Sequence, residues 1–488
     1  MTKKLKIVHL SSEISPYSKS GGLGDVIQAL PKAQAKLGHQ IIIITPRYGI
    51  IKNQEKEGKI KTETVMENLM IEFKGYSFNC KFKKIISSNN ENNPLIYLFA
   101  QEELFGKHSK LYGYENDNLR FLVFDLAILK FFEFLNLEPD IIHCHDWQTA
   151  LIPNYLKLQY QKSPFFKKTA SVLTIHNISF QLGHNWWEIK EPDDGKGLPL
   201  LEKNKIEKIN FLKRGVLNAD VINTVSERYA QEILTKEYGQ GLENFLNKRK
   251  DDVYGIINGI DYEVFNPSFD KNLYANYDWN SLNKKQKNKL ALQKELGLKQ
   301  DIQIPMIGLS HRLTEQKGFN LLAGIIHSLL RQELQIVIVG SGEKEYVKIF
   351  KDLAKKYPKK IAAISPFAEK MSSKVYAASD MYLLPSRFEP CGMSQLISLR
   401  YGSIPIVHET GGLSETITDF NPKTNKGNGF TFKVYDKYDL LITISRAIET
   451  FKHHLVWERL TWQAMGQSYS WELPAKKYLL LYRRALKK

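Results

Sequence analysis

Cations, a carboxylate and a paired-glycine turn occupy three short stretches in the second half of this chain. In Gly308-Leu309-Ser310-His311-Arg312-Leu313-Thr314-Glu315-Gln316-Lys317-Gly318, Arg312 and Lys317 stand five positions apart, just past an apolar run. Cations fixed there would stabilise the negative charge that grows on a departing diphosphate. Each charge-assisted hydrogen bond contributes about 1.5–3 kcal/mol, so two of them could replace much of a divalent metal's effect. In Leu384-Pro385-Ser386-Arg387-Phe388-Glu389-Pro390-Cys391-Gly392-Met393-Ser394, Glu389 sits in a Pro/Gly-bounded turn after another apolar run. A carboxylate so placed stabilises the oxocarbenium-like centre formed when a glycosidic or sugar-phosphate bond breaks. As plain structure it would be a first-turn helix acid. Cys391 joins the candidate lining of this turn, although with no general base at a readable spacing it reads as a packing residue. In Thr410-Gly411-Gly412-Leu413 the glycines let backbone approach a ligand, and the helix that follows points its positive end at it.

The first half carries a matching turn, Lys19-Ser20-Gly21-Gly22-Leu23-Gly24-Asp25. Two such turns in opposite halves suggest one ligand held between two domains. Glu13 and Asp25 flank the first turn as candidate hydroxyl acceptors, Glu13 being equally able to cap it. In Ile141-Ile142-His143-Cys144-His145-Asp146-Trp147-Gln148, His143 and His145 fall on one face of an expected strand. An HxHD cluster could begin a zinc or di-metal site, but neither HExxH nor HxxEH is present to complete it. Asp146 and Trp147 at the strand end are suited to hydrogen bonding a sugar and stacking on its apolar face. Thr174-Ile175-His176-Asn177 ends the next expected strand, where His176 and Asn177 can reach hydroxyl groups. Asn258 closes a strand-like segment, Tyr254-Gly255-Ile256-Ile257-Asn258-Gly259, near the expected join of the halves.

Positioning these residues takes two sheets. Apolar runs at Ile7–Leu10, Ile41–Thr45, Ile96–Phe99, Ile141–His145, Val172–His176 and Val221–Val225 predict the first. Runs at Met306–Ser310, Ile336–Val339, Ile361–Ile364, Met381–Leu384 and Ile404–Val407 predict the second. Continuous apolar strands alternating with helical stretches mean parallel sheets covered on both faces. The fold class is therefore α/β, with two Rossmann-like doubly wound domains and ligands expected beyond the strands' carboxyl ends. The expected division is 1–254, 255–456 and a helical segment 457–488. Polar stretches at Ser87 to Pro94, Asn276 to Lys289 and Asn421 to Gly429 read as surface loops.

Composition narrows the class. The 488 residues are too many for one core, and no apolar run approaches the roughly 20 residues that span a bilayer. Lys3 and Lys4 precede a short apolar stretch that reads as a first buried strand, not a signal peptide. Three dispersed cysteines imply no disulfide framework and fit a reducing cytosol. The net charge of +17 is spread along the chain, with small clusters at Lys284 to Lys289 and Lys355 to Lys360. It reads as a solvated surface, without a nucleic-acid signature, a basic tail or a membrane-binding element. The residues specify no oligomeric state.

Taken together, these motifs resemble the bacterial glycogen synthase and plastid starch synthase family, retaining glucosyltransferases of the GT-B fold. The match runs through Lys19-Ser20-Gly21-Gly22-Leu23, His145-Asp146-Trp147, Thr174-Ile175-His176-Asn177, Ile257-Asn258-Gly259-Ile260-Asp261, Ser310 to Gly318, Pro385 to Gly392 and Thr410 to Leu413. The resemblance implies transfer of glucose from ADP-glucose to the non-reducing end of an α-1,4-glucan such as glycogen, with retention and without a metal or other cofactor. Carried over by motif, Lys19 with Gly21 and Gly22 contacts the donor. Arg312, Lys317, Thr410, Gly411 and Gly412 hold the diphosphate, and Glu389 lies at the glucose. His176 lies near the reacting centre, while Asp146, Asn177 and Asn258 line the sugar and acceptor region. The resemblance also implies that the helical segment 457–488 packs back toward the first domain.

Two departures stand out. Phe180-Gln181-Leu182-Gly183 carries one residue more than the family's Phe/Tyr-Gln-Gly, in a loop expected to shape the acceptor channel. Ser365-Pro366-Phe367 replaces a Gly-Tyr segment near the nucleotide base, leaving Phe367 to stack on adenine. The competing readings are a GT-B transferase using UDP-glucose or another acceptor, a catalytically silent glucan-binding protein, and a metal hydrolase. A phosphorylase would need a pyridoxal-phosphate lysine motif, which is not recognisable here.

Overall fold

Uncharged runs rich in isoleucine and valine supply the inner strands of both sheets. The computed structural model describes residues 4–86, 93–189 and 193–488. Lys3 and most of the loop expected at Ser87 to Pro94 lie outside the described residues. The chain divides into two units, Met1–Asn258 with Trp471–Lys488, and Gly259–Ser470.

The first unit holds a nine-stranded sheet. Its strands are β1 (Lys6–Leu10), β2 (Gln40–Pro46), β3 (Thr62–Phe73), β4 (Tyr76–Ile85), β5 (Leu95–Ala100), β6 (Ile141–His145), β7 (Ala170–Ile175), β8 (Val221–Thr224) and β9 (Val253–Gly255). They lie in the order β3-β4-β5-β2-β1-β6-β7-β8-β9. From β5 to β9 every pairing is parallel, whereas β3 and β4 pair antiparallel. Alternation across the pleat splits the apolar residues between two cores. Ile7, Ile41, Ile141 and Val172 pack with Val26, Leu30, Tyr478 and Tyr482 from helices Gly22–Lys36 and Glu472–Ala485. Val8, Ile42, Ile142 and Leu173 face the aromatic helix Asp117–Phe134. Each fully buried side chain of this kind contributes about 1.5–3 kcal/mol of transfer free energy.

The second unit holds β10 (Met306–Ser310), β11 (Gln335–Val339), β12 (Ile361–Ile364), β13 (Met381–Leu384), β14 (Ile404–His408) and β15 (Phe430–Phe432). These form one parallel sheet in the order β12-β11-β10-β13-β14-β15. The order reverses between β10 and β13, and at such a switch point the loops on either side diverge and leave a crevice.

Several expectations need correction. The β3–β4 hairpin has no apolar run to reveal it, because one of its faces is largely exposed and carries Glu and Lys. The strand-like segment expected at Tyr254 to Gly259 is strand only at its start, in β9 (Val253–Gly255), and the short strand β15 was not legible. The loop expected at Asn276 to Lys289 is half helix, Asn283–Glu295. Within it Lys285 is only 9% exposed and Lys289 3%, so two lysines of this basic cluster are not solvated, whereas Lys284 and Lys287 are exposed. Lys285 Nζ donates to the carbonyls of Ala377 and Ser379, at the negative end of helix Glu369–Ala378. Lys289 pairs with Asp380 at 2.6 Å. The last segment is two helices, His454–Gly466 and Glu472–Ala485. Residues 457–470 belong to the second unit, and only Trp471–Lys488 rejoins the first.

Candidate active site

In the second unit three adjacent parallel strands, β10, β13 and β14, deliver their carboxyl-end loops to one edge of the sheet. The loop after β10 carries Arg312 and Lys317, that after β13 carries Glu389, and that after β14 carries Thr410, Gly411 and Gly412. The first two loops are fastened together. Arg387 N–H donates to the Gln316 carbonyl at 2.9 Å, and the Gln316 side chain donates to the Phe388 carbonyl at 3.4 Å. Gly318, at φ +77°, closes the join, since a Cβ there would lie 2.0 Å from the Pro385 oxygen.

This fastening sets Lys317 Nζ 2.5 Å from Glu389 Oε2, and the Ser386 hydroxyl donates to the same oxygen at 3.0 Å. Burial alone would raise the Glu389 carboxyl. The Lys317 ammonium, with the Ser386 hydroxyl, outweighs it and holds the group below the ordinary carboxylate range. Glu389 is therefore a buried carboxylate kept ionised. An ammonium has three donors, so the bond to Glu389 leaves Lys317 able to hold a further anion. Arg312 is exposed, with no acidic partner among the described residues. Beneath them His311 is buried and its pKa is lowered to about 4, by desolvation first and then by Lys317.

The glycine turn differs from its expected use. Gly411 has φ +43° and a Cβ there would lie 2.0 Å from the Glu389 carbonyl oxygen, while one on Gly412 would lie 2.2 Å from that of Cys391. The Gly412 N–H points at the carbonyls of Glu389 and Pro390. These glycines let the helix start pack directly against the Glu389 loop, and the Gly412 amide is spent there, not held ready for a ligand. Cys391 is buried in the same contact. The Thr410 hydroxyl is buried without a hydrogen-bond partner.

The first unit holds the remaining candidates. At the earlier glycine turn Glu13 is a cap: its carboxylate accepts from the backbone N–H of Ser20 and Gly21, the Ser20 hydroxyl and the Tyr112 hydroxyl. It ties down the residues just ahead of helix Gly22–Lys36, so the Ser20 and Gly21 amides are engaged within the protein. Lys19 pairs with Asp25 at 2.7 Å, which leaves Asp25 as the partner of a cation and not a dedicated hydroxyl acceptor.

Asp146 follows β6 at φ +59°, and its Oδ1 accepts the His176 backbone N–H at 2.6 Å. Burial pushes its carboxyl up to about 7, offset partly by the amides of His176 and Asn177. Asp146 thus pins the loop that presents His176. Trp147 is not a sugar platform. It is 4% exposed and packs edge-on against Phe121 and Phe211 in the core. Asn177 accepts the Ser179 N–H in a local turn, and Asn258 has a buried carbonyl oxygen without a partner. The additional residue Leu182 is buried, as is Gln181, so the insertion enlarges the core beneath the loop while Phe180 is exposed. Phe367, beyond β12, is 51% exposed.

The sequence reading passed over His9, Gln34 and Thr174, which surround His143 and His145. His9, His143 and His145 lie close enough to share a metal ion, yet all six of their ring nitrogens have protein partners. Only the pairing of β1 with β6 and β6 with β7 brings these groups together.

Residues 6–248 match the family model for the starch synthase catalytic domain and residues 291–458 that for glycosyl transferases group 1. The chain is 40% identical to a glycogen synthase of Thermosipho melanesiensis, covering 99% of this chain and 100% of that one. It belongs to the glycogen synthase family. A glycogen synthase of Clostridium novyi is 41% identical, with coverage of 99% and 100%. The catalytic domain of starch synthase IV from Arabidopsis thaliana, solved with ADP and acarbose, superposes with a TM-score of 0.87 at 30% identity and full coverage of both chains. A sucrose-phosphate synthase from Thermosynechococcus elongatus, at 15% identity and a TM-score of 0.59 over 99% of this chain and 100% of that one, shares the fold alone. This member of the glycogen synthase family is thus a hexosyltransferase of the GT-B fold, in which both sheets are Rossmann-like. No described helix is long and apolar enough to cross a membrane.

Proposed function

We propose that this chain transfers glucose from ADP-glucose to the non-reducing 4-hydroxyl of an α-1,4-glucan, with retention of configuration and release of ADP. The observation that carries this reading is the Lys317–Glu389 pair, set beside Arg312 at the switch point of the second sheet. Arg312 and the remaining donors of Lys317 would bind the diphosphate and stabilise it as it leaves, with the Thr410 hydroxyl as a further donor. Glu389, held ionised, would face the positive charge that develops at the sugar carbon. The leaving group and incoming hydroxyl would then share one face of that ion pair, which preserves configuration. Phe367 offers an exposed ring for the adenine.

In the first unit, His176 and Asn177 are assigned to the sugar and acceptor side, with Asp146 holding their loop and Asn258 adding a buried carbonyl. Lys19 is assigned to the donor. The two cations make a metal unnecessary in this scheme, so a chelator should leave turnover unchanged. The free, buried cysteines suit a reducing cytosol.

The test is a glucan-elongation assay offering ADP-glucose and UDP-glucose with glycogen. Elongation with ADP release at the higher kcat/KM supports the reading. Preference for UDP-glucose would overturn the donor assignment, and no elongation from either would overturn the function.

A further inference from the structure

The HxHD motif has one half that the transfer reaction does not use. His9 on β1, His143 and His145 on β6 and Thr174 on β7 share one face of the sheet, and His176 follows directly beyond β7. Gln34 comes to them from helix Gly22–Lys36 and Tyr482 from helix Glu472–Ala485. We propose that these groups form one proton-ordered network whose direction is set by the Gln34 amide, making Gln34 and His9 positioning residues that fix which ring nitrogen of His176 carries its proton.

Gln34 Oε1 lies 2.7 Å from His9 Nε2. A carbonyl oxygen only accepts, so His9 carries its proton on Nε2 and offers a lone pair at Nδ1. His145 Nε2, 3.0 Å from that nitrogen, must donate. This leaves His145 Nδ1 as an acceptor, and His176 Nε2 donates to it at 3.0 Å. Nδ1 of His176 is then the unprotonated nitrogen. From the other side of the same amide, Gln34 Nε2 donates to the Tyr482 hydroxyl at 2.9 Å. That hydroxyl lies 2.8 Å from His143 Nδ1, and His143 Nε2 lies 2.6 Å from Thr174 Oγ1, which also accepts from Asn223 Nδ2 at 3.2 Å. Each hydroxyl can donate or accept, so this branch follows either tautomer of His143.

Direction is preserved only if every imidazole is neutral, with a single N–H. Burial ensures this, lowering His9 to about 4 and His176 to about 3, and holding His143 and His145 well below the ordinary value. Reversing His9, His145 or His176 alone would set two N–H groups or two lone pairs against each other in a buried site, where an unmade hydrogen bond is costly. Turning the Gln34 amide over would reverse His9, His145 and His176 together. His176 is the partly exposed end of the series. On the proposed glucosyl-transfer reading, it meets substrate hydroxyls as a fixed, neutral hydrogen-bond acceptor. With so low a pKa it orients a hydroxyl and does not deprotonate it.

The experiment uses the full chain with ¹⁵N-labelled histidine and no substrate, reading each tautomer from two-bond ¹H–¹⁵N correlations between pH 6 and 8. Nε2–H forms for His9, His145 and His176, unchanged across that range, are expected. An Nδ1–H or doubly protonated His176 would overturn the proposal. Gln34→Met and His9→Leu should each give His176 a mixed-tautomer signal. In glucan elongation both should lower kcat roughly 10–100-fold, the range seen when a metal-bound histidine loses the partner that orients it, with donor KM little changed. The double variant should be no worse than either single one, because the residues act as a unit. A His176 signal that stays purely Nε2–H in both variants would make the network merely structural. Absent elongation by the wild-type chain would instead count against the function, and the spectra of the free protein would still be readable.

Discussion

Replacing Glu389 by Gln changes one charge at a site whose other contacts can persist. The amide oxygen still accepts from Ser386 and from Lys317, which now stand 3.0 and 2.5 Å from Oε2. Removing one partner of a fully buried pair costs about 3–5 kcal/mol. Here the Lys317 side chain is partly exposed and keeps an acceptor, so a smaller folding loss of about 1–3 kcal/mol is expected. The kinetic loss should be larger. A carboxylate kept ionised by its neighbours is pre-organised for charge that exists only in the transition state, and losing such a stabiliser lowers kcat roughly 10²–10³-fold, or about 2.7–4 kcal/mol. Because the interaction is absent from the ground state, kcat and kcat/KM should fall together. The assay is ADP release at saturating donor and glycogen, alongside thermal unfolding of the same preparation. A folded Glu389→Gln protein with wild-type kcat would refute the electrostatic role. A fall confined to KM would show that Glu389 binds the ground state instead.

Lys317→Ala removes the charge that holds Glu389 low, so burial should then raise that carboxyl. If turnover needs it ionised, the acid limb of the pH–rate profile moves to higher pH; an unmoved limb would separate Glu389 from the rate. For stability, a depressed folded-state carboxyl contributes fully above its unfolded pKa, and the contribution is lost as pH falls through the folded value. Lys317→Ala should therefore flatten the acid side of a plot of melting temperature against pH. Trp147→Ala should cost about 3–5 kcal/mol of stability as a core deletion, with glucan KM near wild type in protein that remains folded; a selective rise in KM would restore the sugar-stacking role. Burial lowers Lys285 to about 7, below its unfolded value. Its charged form is thus penalised in the fold at low pH, and stability should rise as pH climbs from about 7 toward the ordinary lysine range. Lys285→Met should lose that rise, which denaturation at pH 7 and pH 10 would reveal.

Much of the fold was legible because parallel strands buried on both faces need uninterrupted Ile and Val, and such runs are visible in one dimension. The β3–β4 hairpin was not, since an edge hairpin with a solvated face mixes Lys and Glu among its apolar residues. The helix at Asn283–Glu295 hid behind five lysines, because an ammonium can be buried only when carbonyls or a carboxylate await it, and those come from elsewhere in the chain. Site residues divided in the same way. Arg312, Lys317 and Glu389 announce their chemistry by type and by their place after a strand, whereas the roles of Trp147, Glu13 and the second glycine pair depend on what packs beside them.

By itself, then, the sequence determined the residue chemistry, the two α/β sheets and the family to which they point. These depend on local pattern, and each motif is contiguous. Tertiary structure alone decided that Lys317 keeps Glu389 ionised, that Glu13 ties down the start of the first glycine turn, and that Gly411 and Gly412 seat one loop on another. It also decided that four histidines from three strand segments join through Gln34. Every one of these depends on distances between groups far apart in the chain, and only strand order and register bring such groups within reach of a hydrogen bond.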